Sequence, residues 1–466
     1  MFVIIITKKK EEGVVLQHIE NDIWIKLQFM DAKLGDRRLN KRLELISSNM
    51  MTNPSFSIPK QNEGWKDTKG AYRFFSSDKI SFADLIQPHV DLTKEIIKKR
   101  KLILAIQDTC HISFSHRNFV EGLSHIGGPN RTKDKGIILH TALAVDPTKK
   151  QPEVIGIFDQ YIHRRTKLVD KNETCTQLQK RWRESKLWEE ASQRMTLEDS
   201  NTRIVEIMDR EGDVFNIMQN CLNLKHDFII RAVHDRKLEG SDENNFLDLI
   251  KTLKSCGSIE LDVRKKFGQQ PRKALLNVSF SKIKIRAPKN KEGLIECNVV
   301  YVIEKDPPEN QEPLEWILLT SINVTSFEDA CQIINWYKCR WIIEEYHKCI
   351  KTGCSVEKIQ LKEGERIENF LGVANIVAVR LLQLRDTARN APNTSAKEII
   401  DPLKVDLLIK RYDVQKEDVT IREYYLLLAR LGGFLGRKSD GEPGWQILWK
   451  GNAHLEKLLE GAKLVL

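Results

Sequence analysis

Residues 102–108 of the chain are LILAIQD, and residues 204–209 are IVEIMD. Each stretch is a short apolar run, typical of a buried strand, that ends in an aspartate. Open α/β sheets place ligands and catalytic groups at the carboxyl ends of their strands. We therefore expect an α/β fold with Asp108 and Asp209 at the ends of two strands. A single aspartate in such a position is more often a cap or a turn residue, so the pair is informative only together with a third group.

A later helix, which we predict from Phe327 to Lys351, supplies the third group. At 100° per residue, four of its polar residues fall within about 60° of one another on one face. They are Tyr337, Arg340, Glu344 and Lys351. A phenol, two cations and a carboxylate on one face would suit a DNA phosphate beside a metal ion. A solvent-exposed face with an Arg340–Glu344 ion pair explains the helix equally well.

Three carboxylates can hold two divalent cations about 3.5–4 Å apart, as in nucleases and polymerases. Oxygen ligands favour Mg²⁺, for which Mn²⁺ can substitute. The predicted catalytic residues and metal ligands are Asp108, Asp209 and Glu344. We interpret His347, Cys349 and Cys354, which are close in sequence, as ordinary residues near a helix end. The nine cysteines include no Cys-x-x-Cys pair, which argues against a zinc cage or a disulfide framework.

The composition is that of a globular chain long enough for two or three domains, with 466 residues, 41 % hydrophobic and 30 % charged. The net charge of +10 favours an acidic partner. No uninterrupted apolar run approaches the roughly 20 residues of a membrane span. Because the apolar residues 2–6 precede the lysines at 8–10, the order is opposite to that of a signal peptide, and we expect a cytoplasmic protein.

Basic residues cluster in two places. One cluster lies at the start of a predicted helix in a helical region and comprises Arg37, Arg38, Lys41 and Arg42. The other, residues 264–291, contains ten basic residues and no acidic one. Within it Lys282, Lys284 and Arg286 alternate with isoleucines, which predicts a strand with three cations on one face. Because the segment has no carboxylate to neutralise them, we favour DNA phosphate binding over a solvated charged face.

The patterns divide the chain into three predicted domains. Residues 1–101 are expected to form a helical DNA-binding domain. Residues 102–365 form the catalytic domain, with separate strands at 102–106 and 111–115 and a β-rich insertion at about 235–310. Residues 366–466 are predicted to be helical.

Three motifs, in this order, resemble the bacterial DDE transposases of the insertion-sequence-four family, and within it the Tn5 type. They are LAIQDT at residues 104–109, MDREGD at residues 208–213, and the helix with tyrosine, arginine, glutamate and lysine at 337, 340, 344 and 351. Three shorter segments are also similar: GAYRF at 70–74, VRLLQLR at 379–385 and ARLGGF at 429–434. The resemblance runs from about residue 30 to the end, and residues 1–15 have no counterpart in it.

The resemblance implies an RNase H-like core, a β-rich insertion, an end-binding amino-terminal domain and a carboxy-terminal domain that forms a homodimer in the synaptic complex. It implies a magnesium-dependent cut-and-paste reaction on transposon-end and target DNA by a bacterial, nucleoid-associated protein. A 3′-hydroxyl is freed, forms and leaves a hairpin, and then joins target DNA. Tyr337, Arg340 and Lys351 would hold phosphates, and Trp316 would stack a flipped base, although a tryptophan in a strand is by default a core residue.

Two other interpretations remain open from the sequence. A related RNase H-like nuclease would cut DNA without joining it, and it would need neither Trp316 nor paired DNA ends. A transposon-derived DNA-binding protein would have lost catalysis, which the presence of all three carboxylates argues against.

Overall fold

The described amino-terminal part of the chain folds into helices, as predicted. The computed structural model describes residues 21–116, 120–127, 134–165, 184–240, 245–263, 272–288, 292–309, 311–390, 392–398, 400–437 and 440–463, so residues 1–15 lie outside it. The helices are α1 (Asn21–Phe29), α2 (Arg37–Thr52), α3 (Ile58–Gln61), α4 (Trp65–Phe75) and α5 (Phe82–Ile97). Helix α2 buries Leu43, Ile46 and Met50. A capping box of Ser81 and Asp84 begins α5.

A mixed sheet follows, and the described residues contribute ten strands to it. The strands are β1 (Leu102–Ser113), β2 (Ser124–His125), β3 (Lys135–Asp146), β4 (Glu153–His163), β5 (Arg203–Met208), β6 (Asp227–Arg231), β7 (Gly257–Val263), β8 (Arg272–Arg286), β9 (Leu294–Lys305) and β10 (Glu315–Thr320). Their order is β2-β3-β1-β5-β6-β10-β9-β8-β7, with β4 beside β3. Strands β1, β5 and β6 are parallel, and the other pairs are antiparallel. The β-rich segment β7–β9 therefore extends the central sheet.

Strand β1 is one strand of 12 residues, so the prediction of two separate strands was wrong. Its parallel pairing with β5 ends at Ile106, whereas its antiparallel pairing with β3 continues to Ser113. The polar residues Gln107 and Thr109 do not end the strand because both hydrogen-bond His140 of β3, at 3.0 and 2.9 Å. Asp108 consequently lies inside β1, at the point where the parallel pairing stops, and not at the end of a strand.

Helices on the faces of the sheet and after it complete the fold. They are α6 (Ser185–Arg194), α7 (Phe215–Asn223), α8 (Phe246–Thr252), α9 (Phe327–Lys338), α10 (Trp341–Lys348), α11 (Gly364–Asn390), α12 (Pro402–Arg411), α13 (Ile421–Leu431) and α14 (Trp445–Lys463). A π-helical segment, Cys349–Gly353, follows α10.

The single helix predicted from Phe327 to Lys351 is interrupted between α9 and α10. The backbone N–H groups of Cys339 and Arg340 bond carbonyls three residues earlier, which tightens the chain there. Residues 336–344 contain no glycine or proline, so no local signal in the sequence marks the break.

Helix α11 forms the centre of the carboxy-terminal half. Its stretch Gly364–Thr387 contains an 18-residue window with the mean hydropathy, 1.4, of a membrane span, but 89 % of that window is buried inside the protein. We therefore regard it as a core helix. A search for uninterrupted apolar runs does not find it, because polar residues such as Asn375 and Arg380, both buried, interrupt the run.

Candidate active site

Asp108 in β1 lies level with Asp209, which directly follows the adjacent parallel strand β5. Ile106 of β1 pairs with Ile207 of β5, and each aspartate follows its own isoleucine by two residues. The Asp108 carboxylate accepts a hydrogen bond from the Thr109 backbone N–H at 2.9 Å. Asp209 begins a 3-10 turn, and its carboxylate accepts from the Glu211 backbone N–H at 2.8 Å. The register therefore brings together two aspartates that are 101 positions apart in the sequence.

The pKa of Asp108 is unusually high for an aspartate. Burial, and then repulsion from Asp209, raise the pKa of Asp108 to about 7, against the opposing effects of the Thr109 N–H and the Arg340 guanidinium. Two carboxylates that repel each other in a partly desolvated place favour either a bound proton or a bound cation. Their donor chemistry fits a hard divalent cation.

Glu344 lies on α10, and its carboxylate is paired with the guanidinium of Arg340. This is the ion pair that the sequence left open as an alternative. Within the part of the chain that the structure describes, no three His, Cys, Asp or Glu side chains are grouped closely enough to hold a metal ion. Asp108, Asp209 and Glu344 therefore do not converge on one metal position in this conformation.

Helix α10 is fixed to the sheet and to α11 by buried polar contacts. The Tyr346 hydroxyl accepts a hydrogen bond from Gln160 of β4 at 3.1 Å and donates to the Asn375 carbonyl oxygen of α11 at 3.2 Å. The neighbouring Glu345 pairs with Arg385, a buried side chain of α11. Glu345 is therefore held by Arg385 of α11, whereas Glu344 pairs with Arg340 of its own helical segment.

The predicted DNA-contacting residues do not share one helical face, because α9 ends before Arg340 and the π-helical segment holds Lys351. Tyr337 is buried, and its ring packs edge-on against Trp316 with centroids 5.9 Å apart. Trp316 itself is half-buried. The charge of Lys351 acts on the buried Cys110 thiol of β1 and opposes the rise in its pKa that burial causes. The structure thus groups Trp316, Tyr337 and Arg340, and it places Lys351 on the β1 side of the site.

Three further residues adjoin the site and were not predicted from the sequence. Arg231 follows Ile230, which pairs with Met208, so its position is level with Asp209, and its guanidinium donates to the Glu315 carbonyl oxygen at 2.9 Å. His347 lies with Nδ1 3.7 Å from Oδ2 of Asp108, and burial lowers its pKa to about 3, which keeps the ring neutral. Trp341 is 56 % exposed and stacks on the Arg340 guanidinium. Helical spacing from Glu344 could have indicated His347 and Trp341, but only the strand register identifies Arg231.

The amino-terminal basic cluster divides into two kinds of residue. Arg37, Arg38 and Lys41 are exposed on α2. Arg42 instead pairs with Asp67 of α4 at 2.8 Å. A Cβ atom on Gly70 would lie 2.7 Å from this guanidinium, so the glycine makes room for it. Arg42 therefore joins two helices, while the other three cations face solvent.

The alternating strand β8 has the predicted faces, with Ile283 and Ile285 buried and the cations exposed. The assumption that no carboxylate neutralises these cations was wrong. Glu296 of the adjacent strand β9 pairs with Lys282 and Lys284 at 3.2 and 3.0 Å, and Glu239 pairs with Arg286 at 3.5 Å. The neighbouring basic residues 264–266, 289 and 291 lie outside the described residues.

Comparison with known proteins gives three family matches along the chain. Residues 21–80 match a family described as transposase DNA-binding, residues 130–380 match the transposase DDE domain, and residues 376–465 match the transposase Tn5 dimerisation domain. The second match covers more than half of the 466 residues and includes Asp209 and Glu344, whereas Asp108 precedes it. Among solved structures, a chain of a piggyBac transposase synaptic complex with hairpin DNA is similar at 10 % identity and a TM-score of 0.34, over 96 % of this chain and 79 % of that one.

Proposed function

The chain belongs to the DDE transposase family, and on that basis we propose that it carries out cut-and-paste transposition as a member of the insertion-sequence-four group. It is a DNA transposase of the Tn5 type, that is, an endonuclease and a strand transferase. The finer proposal comprises cleavage at inverted repeats, formation and opening of a hairpin, and joining of the 3′-hydroxyl to target DNA.

The observation that carries this proposal is that Asp108 in β1 lies level with Asp209 directly after the parallel strand β5, with Glu344 on the nearby helix α10. Strands β4, β3 and β1 form an antiparallel meander, and β5 and β6 continue from β1 in parallel. This is the order expected of an RNase H-like core. We propose that residues 102–365 are the catalytic domain, with residues 1–101 binding transposon ends and residues 366–466 forming the homodimer.

DDE transposases depend on a divalent metal, and we propose that Asp108, Asp209 and Glu344 hold Mg²⁺ here. The metal would activate the attacking oxygen and stabilise the leaving oxygen of the phosphodiester. The protein's own contribution is geometric. The strand register fixes the aspartate pair, Tyr346 and Glu345 fix α10, and burial keeps His347 neutral beside Asp108.

The proposed DNA contacts use the cations and aromatic rings near the aspartate pair, together with the exposed cations of α2. We propose that Arg340 and Lys351 hold phosphates, that Tyr337 positions the Arg340 guanidinium, and that Trp316 stacks a flipped base. Arg37, Arg38 and Lys41 would bind transposon ends through phosphates. A DNA-binding role for Lys282, Lys284 and Arg286 stays a prediction, and it requires them to exchange Glu296 and Glu239 for phosphate.

The test of this proposal uses DNA containing the sequence that flanks the gene, incubated with the full-length protein and Mg²⁺ or Mn²⁺. We expect Asp108→Ala, Asp209→Ala and Glu344→Ala each to abolish cleavage while binding of that DNA persists. Glu345→Gln is the matched control, because it changes the adjacent carboxylate, keeps an amide oxygen for Arg385 and should keep cleavage. Cleavage without joined products would identify a nuclease that cannot transfer strands, and binding without cleavage in the wild type would identify an inactive remnant.

A further inference from the structure

Glu344 is paired with Arg340 and is not grouped with the two aspartates. The two side chains form an ion pair one helical turn apart, and the three predicted metal ligands do not form a group in the described structure. The residues for a metal site are therefore present, but their side-chain arrangement is not that of a metal-bound enzyme.

The Arg340 guanidinium lies close to Glu344, Trp341 and Asp108. Its side chain is only 12 % exposed, whereas that of Glu344 is 37 % exposed. It stacks with Trp341 at 5.2 Å from the ring centroid, and its charge also acts on Asp108. The Arg340 guanidinium is thus largely buried beside Trp341 and Glu344. The Glu344 carboxylate is more exposed and, among the described residues, pairs with Arg340.

We propose that Arg340 is a latch that keeps Glu344 out of the metal site until DNA binds. A DNA phosphate takes the guanidinium, and the freed Glu344 carboxylate then joins Asp108 and Asp209 to complete the site. Arg340 is a positioning residue in this respect, because it acts on the metal site through Glu344. This inference rests on the proposed function, since it assumes that the three carboxylates are the metal ligands.

The exchange is chemically simple. A guanidinium binds carboxylate and phosphate oxygens with the same fork of N–H donors, so one charge-assisted pair replaces another. The backbone of α10 need not move, because Tyr346 and Glu345 hold it against β4 and α11. Only the Glu344 side chain has to rotate, and its exposure leaves room on the solvent side.

The latch couples two ligands. If bound DNA raises the affinity for the metal by releasing Glu344, bound metal must raise the affinity for DNA by the same factor. Such factors are typically about 5- to 150-fold. The chain would therefore hold a divalent cation weakly when it is free and firmly when a phosphate occupies Arg340. Metal-dependent cleavage would be confined to protein that has already engaged DNA.

The experiment measures Mn²⁺ affinity of the full-length, DNA-free protein by electron paramagnetic resonance of the unbound ion. The variants are Arg340→Gln, the double variant Arg340→Gln with Glu344→Gln, and Arg231→Gln. The last is the matched control, since it removes a neighbouring cation that holds no carboxylate of the predicted triad. Arg340→Lys, which keeps the charge but loses the fork, serves if the glutamine variant has a lowered melting temperature.

We expect Arg340→Gln to bind Mn²⁺ about 5-fold or more tightly than the wild type, within the usual range of such couplings. The double variant should lose that gain, and Arg231→Gln should show a smaller one. Adding a duplex of the DNA that flanks the gene should raise the affinity of the wild type towards that of Arg340→Gln. Equal affinities of wild type and Arg340→Gln, an equal gain in Arg231→Gln, or a gain that survives Glu344→Gln would overturn the latch. Because the metal is measured without catalysis, failure here is distinct from failure of the wild type to cleave DNA.

Discussion

Replacing Asp108 with asparagine tests the electrostatics of the aspartate pair, because asparagine has nearly the same shape and no charge. Burial and the charge of Asp209 raise the pKa of Asp108 from 3.8 to about 7. Between those pH values the folded protein keeps a proton at Asp108 that the unfolded chain has released. The free energy of unfolding of the metal-free wild type should therefore fall as the pH rises through this window.

The size of the effect follows from the two pKa values. Each pH unit between them changes the free energy of unfolding by about 1.4 kcal/mol, which gives an upper value of about 4 kcal/mol. Since 16 % of the side chain is exposed, we expect a measured loss of about 2–4 kcal/mol between about pH 4 and pH 8. Asp108→Asn removes this loss, so its stability relative to the wild type should rise by that amount over the same interval.

The measurement is urea denaturation of both proteins in EDTA at a series of pH values. Titrating groups that are not coupled to Asp108, such as Glu153 and Asp386, affect both proteins and cancel in the difference. Adding Mg²⁺ at about pH 8 should stabilise the wild type more than the variant, because a ligand that binds the folded state stabilises it by mass action. A stability difference that does not change with pH would show that Asp108 carries no raised pKa and would refute the reasoning.

Three further predictions concern the helix anchor, the aromatic pair and the end-binding cations. Tyr346→Phe should lower the free energy of unfolding by about 1–3 kcal/mol, because Gln160 and the Asn375 carbonyl lose a buried partner. Urea denaturation measures this, and an unchanged value would mean that the hydroxyl does not anchor α10. Trp316→Ala should spare the first nick and slow the hairpin steps about 5- to 150-fold, since stacking a base returns about 1–3 kcal/mol. Time courses of nicked and hairpin DNA test this, and a large fall in melting temperature with equal loss of all products would show that Trp316 is a packing residue. The exposed cations of α2 are Arg37, Arg38 and Lys41. Replacing all three should lower the slope of log K for DNA binding against log salt by about 0.9 for each phosphate that the protein no longer neutralises, whereas Arg42→Ala should leave the slope unchanged. Equal slopes for all variants would contradict a role in DNA binding.

The sequence by itself determined those strands, helix caps and burial patterns that depend on residues close together in the chain. The apolar run at 204–208 became strand β5 with Asp209 directly after it, and the Ser81 capping box, formed within four residues, begins α5. The alternation at 282–286 correctly predicted which side chains of β8 are buried. These features depend on side-chain periodicity and on hydrogen bonds within a few residues, which a single chain segment contains in full.

Only the tertiary structure decided the features that depend on a partner from elsewhere in the chain. Asp108 lies inside β1 because His140 of β3 satisfies the polar residues on either side of it, so the strand continues past the aspartate. The cations of β8 are neutralised because β9 brings Glu296 beside them. The break before Arg340 has no local glycine or proline to signal it. For Asp108 and for the β8 cations, the deciding contact joins segments far apart in sequence, and its position is set by strand register and packing, which periodicity along one segment does not encode.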